Sequence, residues 1–353
     1  MLKPENKPYN VILITDPNSD PDDLVSYLIL KQLMVQGEIN LKAAVITLGD
    51  RALRLRRTKF AAAVWQRLAV NIPVVCGSDY PEMGKINSHY CENEWADKLE
   101  KEGFADNKNV EDVIRPALQQ SADQSVVILI NAQMNDIASF LQKESNQLLF
   151  EQKVLKVVLM GACCQGEDGI YRPSAKSFNN KVCMSGAEIL FQYLQQKRIP
   201  LILVPKETVY QVKVGKDFYV KLKNAGNIIS KVLYSCSRQC MENLWNEVKN
   251  GQVSHFDLKR YIKVFIGSDY WACSKTITKE STFEEVWDKV KYFSLYDALA
   301  ALAVSEREFL AGGRYEKLDE AKEVYIAQIN NPEIICGKLY TMCEKTLTNM
   351  KEE

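Results

Sequence analysis

The chain's 353 residues suffice to bury a large core in one or two domains. Apolar residues make up 46% and charged residues 25%, an ordinary globular balance, and 45 basic side chains cancel 45 acidic ones. No net field therefore directs the protein toward nucleic acid or an anionic membrane surface. The N-terminal MLKPENKPYN has no apolar signal segment, and no apolar run nears the roughly 20 residues that span a bilayer. Those features predict a cytoplasmic protein. Only two histidines occur, His89 and His255, neither near an acidic cluster, which argues against a zinc hydrolase or a Ser-His-Asp triad. Ten cysteines are scattered without a CxxC pair, so free thiols are expected. Chemistry here should run on carboxylates and oxygen ligands.

The first element is a strand over 11–15, an apolar run bounded by polar residues, as in a buried parallel strand. Asp16, Asp20, Asp22 and Asp23 follow within eight positions, with Pro17 and Pro21 stiffening the turn. Four carboxylates so close repel one another unless a cation sits among them, and a hard divalent ion takes oxygen ligands from such a loop. An aspartate before a helix is often only a cap; four after an apolar strand point to a metal or substrate site.

Further strands are predicted over 42–47, 73–76, 126–131, 154–160 and 200–204, and helices over 23–36, 52–68, 110–120, 136–143 and 186–197. This alternation implies an α/β fold: an open, mostly parallel, doubly wound sheet with a Rossmann-like core. One domain over 1–353 is expected, with its core at about 9–205 and 292–340 and a helical, aromatic-rich insertion at about 214–291. The insertion's rings either pack its own helices or close over the site as a wall for a flat substrate. The basic run Arg51, Arg54, Arg56, Arg57, Lys59 reads as a solvated helix face. Polar knots at 47–50, 130–136, 160–162 and 177–180 fall where strands should end, and open α/β sheets bind ligands at that edge. Asp297 opens an otherwise apolar helical run, YFSLYDALAALAV, where it is either a cap or a distant metal ligand.

TDPNSDPDD resembles the Asp motif of the inosine–uridine-preferring nucleoside hydrolase superfamily, in a divergent branch with the spaced form TDxxxDPDD. The resemblance continues through VITLGDR, NIPVVCGSD, INAQMNDIA, VVLMGA and SFNNKVCMSGAEILF to SLYDALAALA, covering roughly residues 9 to 305. It implies a calcium-dependent N-ribohydrolase of purine and pyrimidine salvage that splits a nucleoside into base and ribose, with Mg2+ as the alternative to Ca2+. Asp16, Asp23 and Asp297 match its metal ligands, and Asn135 matches a position whose backbone carbonyl completes the shell. Asp16 would also be the general base, Asp22 would hold ribose hydroxyls, and Asn179 matches a ribose-binding asparagine. The resemblance also places Asp50, Ser177 and Asn180 among substrate-binding positions and Tyr296 at a catalytic one.

The chain departs from the family at Asn18, Asp50, Ser177, Cys183 and Tyr296, the last standing where well-known members have histidine. These departures touch ribose and leaving-group contacts more than the metal set. The partner is expected to be a small nucleoside or riboside, with no nucleic acid or membrane, and family members are often homodimers or homotetramers. Two alternatives stay open: a non-catalytic relative that keeps the metal and binds a ribosyl ligand, and an unrelated metal-dependent phosphohydrolase. The second should carry basic residues at the carboxyl edge, and the loops named above are poor in them.

Overall fold

Alternate residues of β1 (Tyr9–Thr15) enter two different cores: Val11 and Leu13 join one cluster, Ile12 and Ile14 the other. The strand is therefore covered on both faces, which is what its unbroken apolar run requires. The computed structural model describes residues 8–17, 20–80, 94–99, 108–252, 257–267, 277–319 and 321–350. β1 pairs in parallel with β2 (Ile39–Ile46) and β4 (Val126–Ile130), while β3 (Val74–Cys76) and β5 (Val154–Met160) extend the sheet on either side. Beyond β5 lie β8 (Leu201–Val204), β12 (Val324–Ile329) and β11 (Gly313–Asp319). The resulting eight-stranded order is β11-β12-β8-β5-β4-β1-β2-β3, and only β11 runs antiparallel to its neighbour. The expected open, mostly parallel sheet is what forms.

Helix Asp22–Val35 is buried almost all round, because it is sandwiched between the sheet and the helices Tyr296–Leu302 and Pro332–Thr348. Helices Val110–Gln119, Asn135–Phe140 and Met184–Lys197 cover the opposite face with the second core. Thr47 and Asn131, expected as the last residues of their strands, lie one residue beyond them, in the turns at the carboxyl edge. No helix among the described residues is long and apolar enough to cross a membrane.

Several elements carried no clear sequence signal. The hairpin β6 (Cys163–Gln165) and β7 (Tyr171–Pro173) occupies what reads as a Gly-containing loop. β11 exposes Arg314 and Glu316, the charged face of an edge strand. The predicted insertion is closed at its base by β9 (Val214–Gly215) paired with β10 (Tyr292–Phe293). Its rings pack mainly on one another: Trp245 and Tyr261 are buried 5.5 Å apart, and Tyr219 meets Phe293 at 4.7 Å. Tyr270 and Trp271 lie outside the described residues, as do Asn18 and both histidines. Cys236, in the long helix Ile228–Lys249, is disulfide-bonded, which corrects the expectation of free thiols throughout.

The basic run needs a second correction. Arg54 and Arg57 are fully buried rather than solvated. Arg54 donates to the carbonyls of Gly77, at 3.1 Å, and Gly49 and pairs with Asp79, while Arg57 donates to the Leu48 carbonyl at 3.1 Å. Leu48 (φ 68°) and Gly49 (φ 98°) are left-handed, so these guanidiniums satisfy carbonyls that a strained turn aims inward.

Candidate active site

The acidic cluster is assembled from both ends of the chain. Thr15, at the tip of β1, donates its hydroxyl to Asp23 Oδ1, turning that carboxylate back toward the strand end. Ser26 Oγ donates to the Asp23 carbonyl at 2.7 Å and steadies the first helical turn. From the far end, helix Tyr296–Leu302 arrives with its first N–H groups aimed at the same place. Those of Tyr296 and Asp297 donate to Asp22 Oδ2 at 3.0 and 3.2 Å. Asp22, Asp23 and Asp297, all buried, each present an oxygen within 4.8 Å of the other two. The Oδ1 of Asp297 is buried without a hydrogen-bond partner.

The electrostatics follow from this crowding. Burial is the largest cause holding the Asp16, Asp20, Asp23 and Asp297 carboxyls above their ordinary value, and neighbouring aspartates add to it. Asp16, Asp20 and Asp297 are pushed well up, and Asp23 to about 7. At Asp22 burial raises the pKa, but hydrogen bonds oppose it, first that with the Asp20 side chain and then those from the Asp297 and Tyr296 backbone. The buried Arg57 pulls Asp16 and Asp23 back down without cancelling the effect. A divalent cation among these oxygens would reverse the repulsion, and the triad is a site that could hold one.

Around the cluster opens a cavity of about 1570 Å3. Asp16, Asp22, Asp23, Ser177, Asn179, Tyr296 and Asp297 line it, together with Asp20 and Asn131. Asn179 Nδ2 donates to the Asn131 carbonyl at 2.9 Å, and Asn131 Nδ2 reaches the Asp297 carbonyl at 3.5 Å. The other residues singled out from sequence are not among those that line it. Asn180 Nδ2 is spent on the carbonyls of Ala162 and Ser174, at 2.8 and 3.1 Å. Asn135 Oδ1 accepts from Thr47 at 3.3 Å. Asp50 is exposed and caps helix Arg51–Arg67 by accepting the Leu53 N–H at 2.9 Å.

Sequence reasoning missed Tyr210, whose ring centre lies 6.0 Å from that of Tyr296, and the lining residues Lys206 and Arg260. Lys206 and Tyr210 follow β8, so the rule that sites form beyond strand ends could have flagged them. Arg260 sits in the aromatic-rich segment, where nothing local distinguishes it.

No protein-family model matches the sequence, and no curated protein matches it. Solved structures do. The effector protein XOO4466 superposes with a TM-score of 0.82 at 24% identity, over 97% of this chain and 94% of its own. The type III effector XopQ, in complex with adenosine diphosphate ribose, gives 0.82 at 25%, over 97% and 95%. An inosine–uridine-preferring nucleoside hydrolase from Bacillus anthracis gives 0.61 at 14%, over 96% and 99%. The fold is thus that of nucleoside hydrolases. Within it, the two effectors superpose with the higher scores and identities.

Proposed function

We propose that the protein is a metal-dependent N-ribohydrolase that cleaves a ribonucleoside to free base and ribose. The observation that carries this reading is the buried triad Asp22, Asp23 and Asp297 beside Asp16, opening on a cavity at the carboxyl edge of the sheet. The residues fit a hard cation, calcium before magnesium: every donor is a carboxylate or carbonyl oxygen, and Asp297 Oδ1 has no other partner. Asp16, Asp23, Asp297 and the Asn135 carbonyl are the proposed ligands, and the triad geometry adds Asp22 to that neighbourhood. When bound, such an ion supplies Lewis acidity and a template for water and ribose hydroxyls.

The chain's own groups divide the rest. Asp16 accepts a proton from the attacking water as its oxygen bonds to C1′ of the riboside. The C1′–N bond breaks and its electron pair leaves with the base, through an oxocarbenium-like state that the nearby carboxylates favour. Tyr296 gives its hydroxyl proton to the departing base and is reprotonated from solvent as products leave, Asp16 releasing the water's proton in turn; burial and the neighbouring Tyr210 keep the resting hydroxyl protonated at neutral pH. Asp22 and Asn179 hold ribose hydroxyls, Asn179 through the oxygen that its Nδ2 contact leaves available. Ser177 contacts substrate from the cavity wall, while Asn180 and Asp50 position the loops.

A second reading is a non-catalytic binder of a ribosyl ligand, favoured by XopQ having been crystallised with adenosine diphosphate ribose. Release of reducing sugar from a nucleoside panel, with calcium and with a chelator, separates the two. Hydrolysis that stops in chelator and returns with calcium supports the enzyme; ligand binding without sugar release supports the binder.

A further inference from the structure

The stretch NIPVVCGSD has no part in the chemistry described so far, yet the turn it forms after β3 reaches the neighbour of Asn135. Asp136, the second residue of helix Asn135–Phe140, is 1% exposed. Its Oδ1 accepts the Ser78 N–H at 2.7 Å, tying the turn after β4 to the turn after β3 across 58 positions. Gly77 permits that approach, because a Cβ there would stand 2.7 Å from Asp136 Oδ2 and 2.9 Å from the Ile46 carbonyl. The Gly77 carbonyl accepts from the buried Arg54, which also holds the Gly49 carbonyl, so the turns after β2 and β3 are joined. Asn135 is gripped through its own side chain as well. Its Oδ1 accepts from Thr47 at 3.3 Å, and Gln133 Nε2 donates to the Thr47 hydroxyl. Helix Met184–Lys197 packs equally close, since a Cβ at Gly186 would lie 3.1 Å from Asn135 Cα and 3.2 Å from its N. An acid in the first turn of a helix is favourable in itself, but solvent would serve it; buried, it needs the bonds it makes.

We infer that Asp136 is a positioning residue: with Gly77 it fixes the backbone of Asn135, and with it the carbonyl assigned to the cation. The inference rests on the metal-dependent N-ribohydrolase reading for that ligand. A carboxylate ligand adjusts by turning its side chain, whereas a backbone carbonyl can be placed only by whatever holds the backbone. Up to the end of β4 the sheet does this, and the Asn131 N–H still donates to the Ile14 carbonyl at 2.8 Å. Beyond Asn131 the chain leaves the sheet, and the contact from Ser78 to Asp136 takes over. Calcium–oxygen distances span only about 2.3–2.6 Å, so a carbonyl displaced by several tenths of an ångström falls outside them. A methyl group at position 77 would force a displacement of that size, because the Asp136 carboxylate cannot swing away without leaving Ser78.

Calcium affinity tests this without reference to turnover. In calorimetric titration of the full chain with calcium, Asp136→Ala should bind about tenfold or more weakly than wild type. Asp136→Asn, which keeps an acceptor for the Ser78 N–H, should restore most of that affinity. Gly77→Ala alters no charge and no proposed ligand, and should weaken calcium binding several-fold. Melts in chelator show that each variant is folded, and the rise in melting temperature on adding calcium should be smaller for Asp136→Ala and Gly77→Ala than for wild type. If Asp136→Ala does not fold, Gly77→Ala and Asp136→Asn decide the matter. Wild-type calcium affinity in Gly77→Ala overturns the inference. So does an Asp136→Asn protein as weak as Asp136→Ala, because charge rather than the hydrogen bond would then be acting. Either result leaves the metal-dependent reading standing alone; a wild-type protein that binds no calcium removes that reading and the inference together.

Discussion

The backbone N–H of Tyr296 donates to Asp22 Oδ2 at 3.0 Å, joining residues 274 positions apart. The Asp297 N–H makes the same contact at 3.2 Å, so one carboxylate of the first βα turn anchors the helix that delivers the last acidic residue. Hydrogen bonds to a charged acceptor contribute about 1.5–3 kcal/mol each, and relief of repulsion among the aspartates offsets part of their loss. Asp22→Ala should therefore destabilise the protein by about 1–2 kcal/mol even in chelator. Asp22→Asn, which keeps an acceptor oxygen, should cost less. Denaturant unfolding in chelator decides it: an unchanged midpoint for Asp22→Ala means the carboxylate does not hold that helix.

Asp23 makes stability depend on pH in an unusual direction. Burial first, and Asp22 second, raise its pKa from 3.8 in the unfolded chain to about 7 in the fold. Between those values the folded state binds more protons than the unfolded one, so metal-free stability falls as pH rises from about 4 to 7. Asp23→Asn should remove that slope, raising the melting temperature in chelator at pH 8 and leaving it nearly unchanged at pH 4. With calcium the order should reverse, because the variant loses a ligand of the folded state. Melts at both pH values with and without calcium check this; the same shift in all four conditions would exclude Asp23 as a ligand.

The fold and the acidic site differ in how far local sequence reveals them. β1 and the aspartates after it were legible because an apolar run and a charge cluster are local signals. Asp297 could be placed from its acidic intrusion into an apolar helix, but its meeting with Asp22 needs the folded sheet. Arg54 and Arg57 misled because a helical run of cations resembles a solvated face, and only the left-handed turn at Leu48 and Gly49 gives them buried acceptors. Asp50 illustrates the opposite limit. Its motif suggests a ligand contact, while its carboxylate is engaged as a helix cap.

Tyr296 can be tested through its hydroxyl alone. Its ring lies against Tyr210 in the cavity wall, and Tyr296→Phe keeps that packing. If the hydroxyl protonates the departing base, the variant should slow purine or pyrimidine nucleosides at least tenfold and spare an aryl riboside whose leaving group needs no proton. Steady-state rates on both substrate types suffice. A parallel decline on both would reduce Tyr296 to packing.

Asp16 is the proposed proton acceptor. Asp16→Asn keeps an oxygen facing the cavity and removes the basic carboxylate, so binding and chemistry should separate. The decisive measurement is single-turnover base release by wild-type and Asp16→Asn protein, each saturated with calcium and with riboside. The expected result is a rate lower by roughly 100-fold or more in the variant, with ligand affinity changed far less. Base release at a near wild-type rate would contradict the mechanism and, with it, the place given to the acidic cluster.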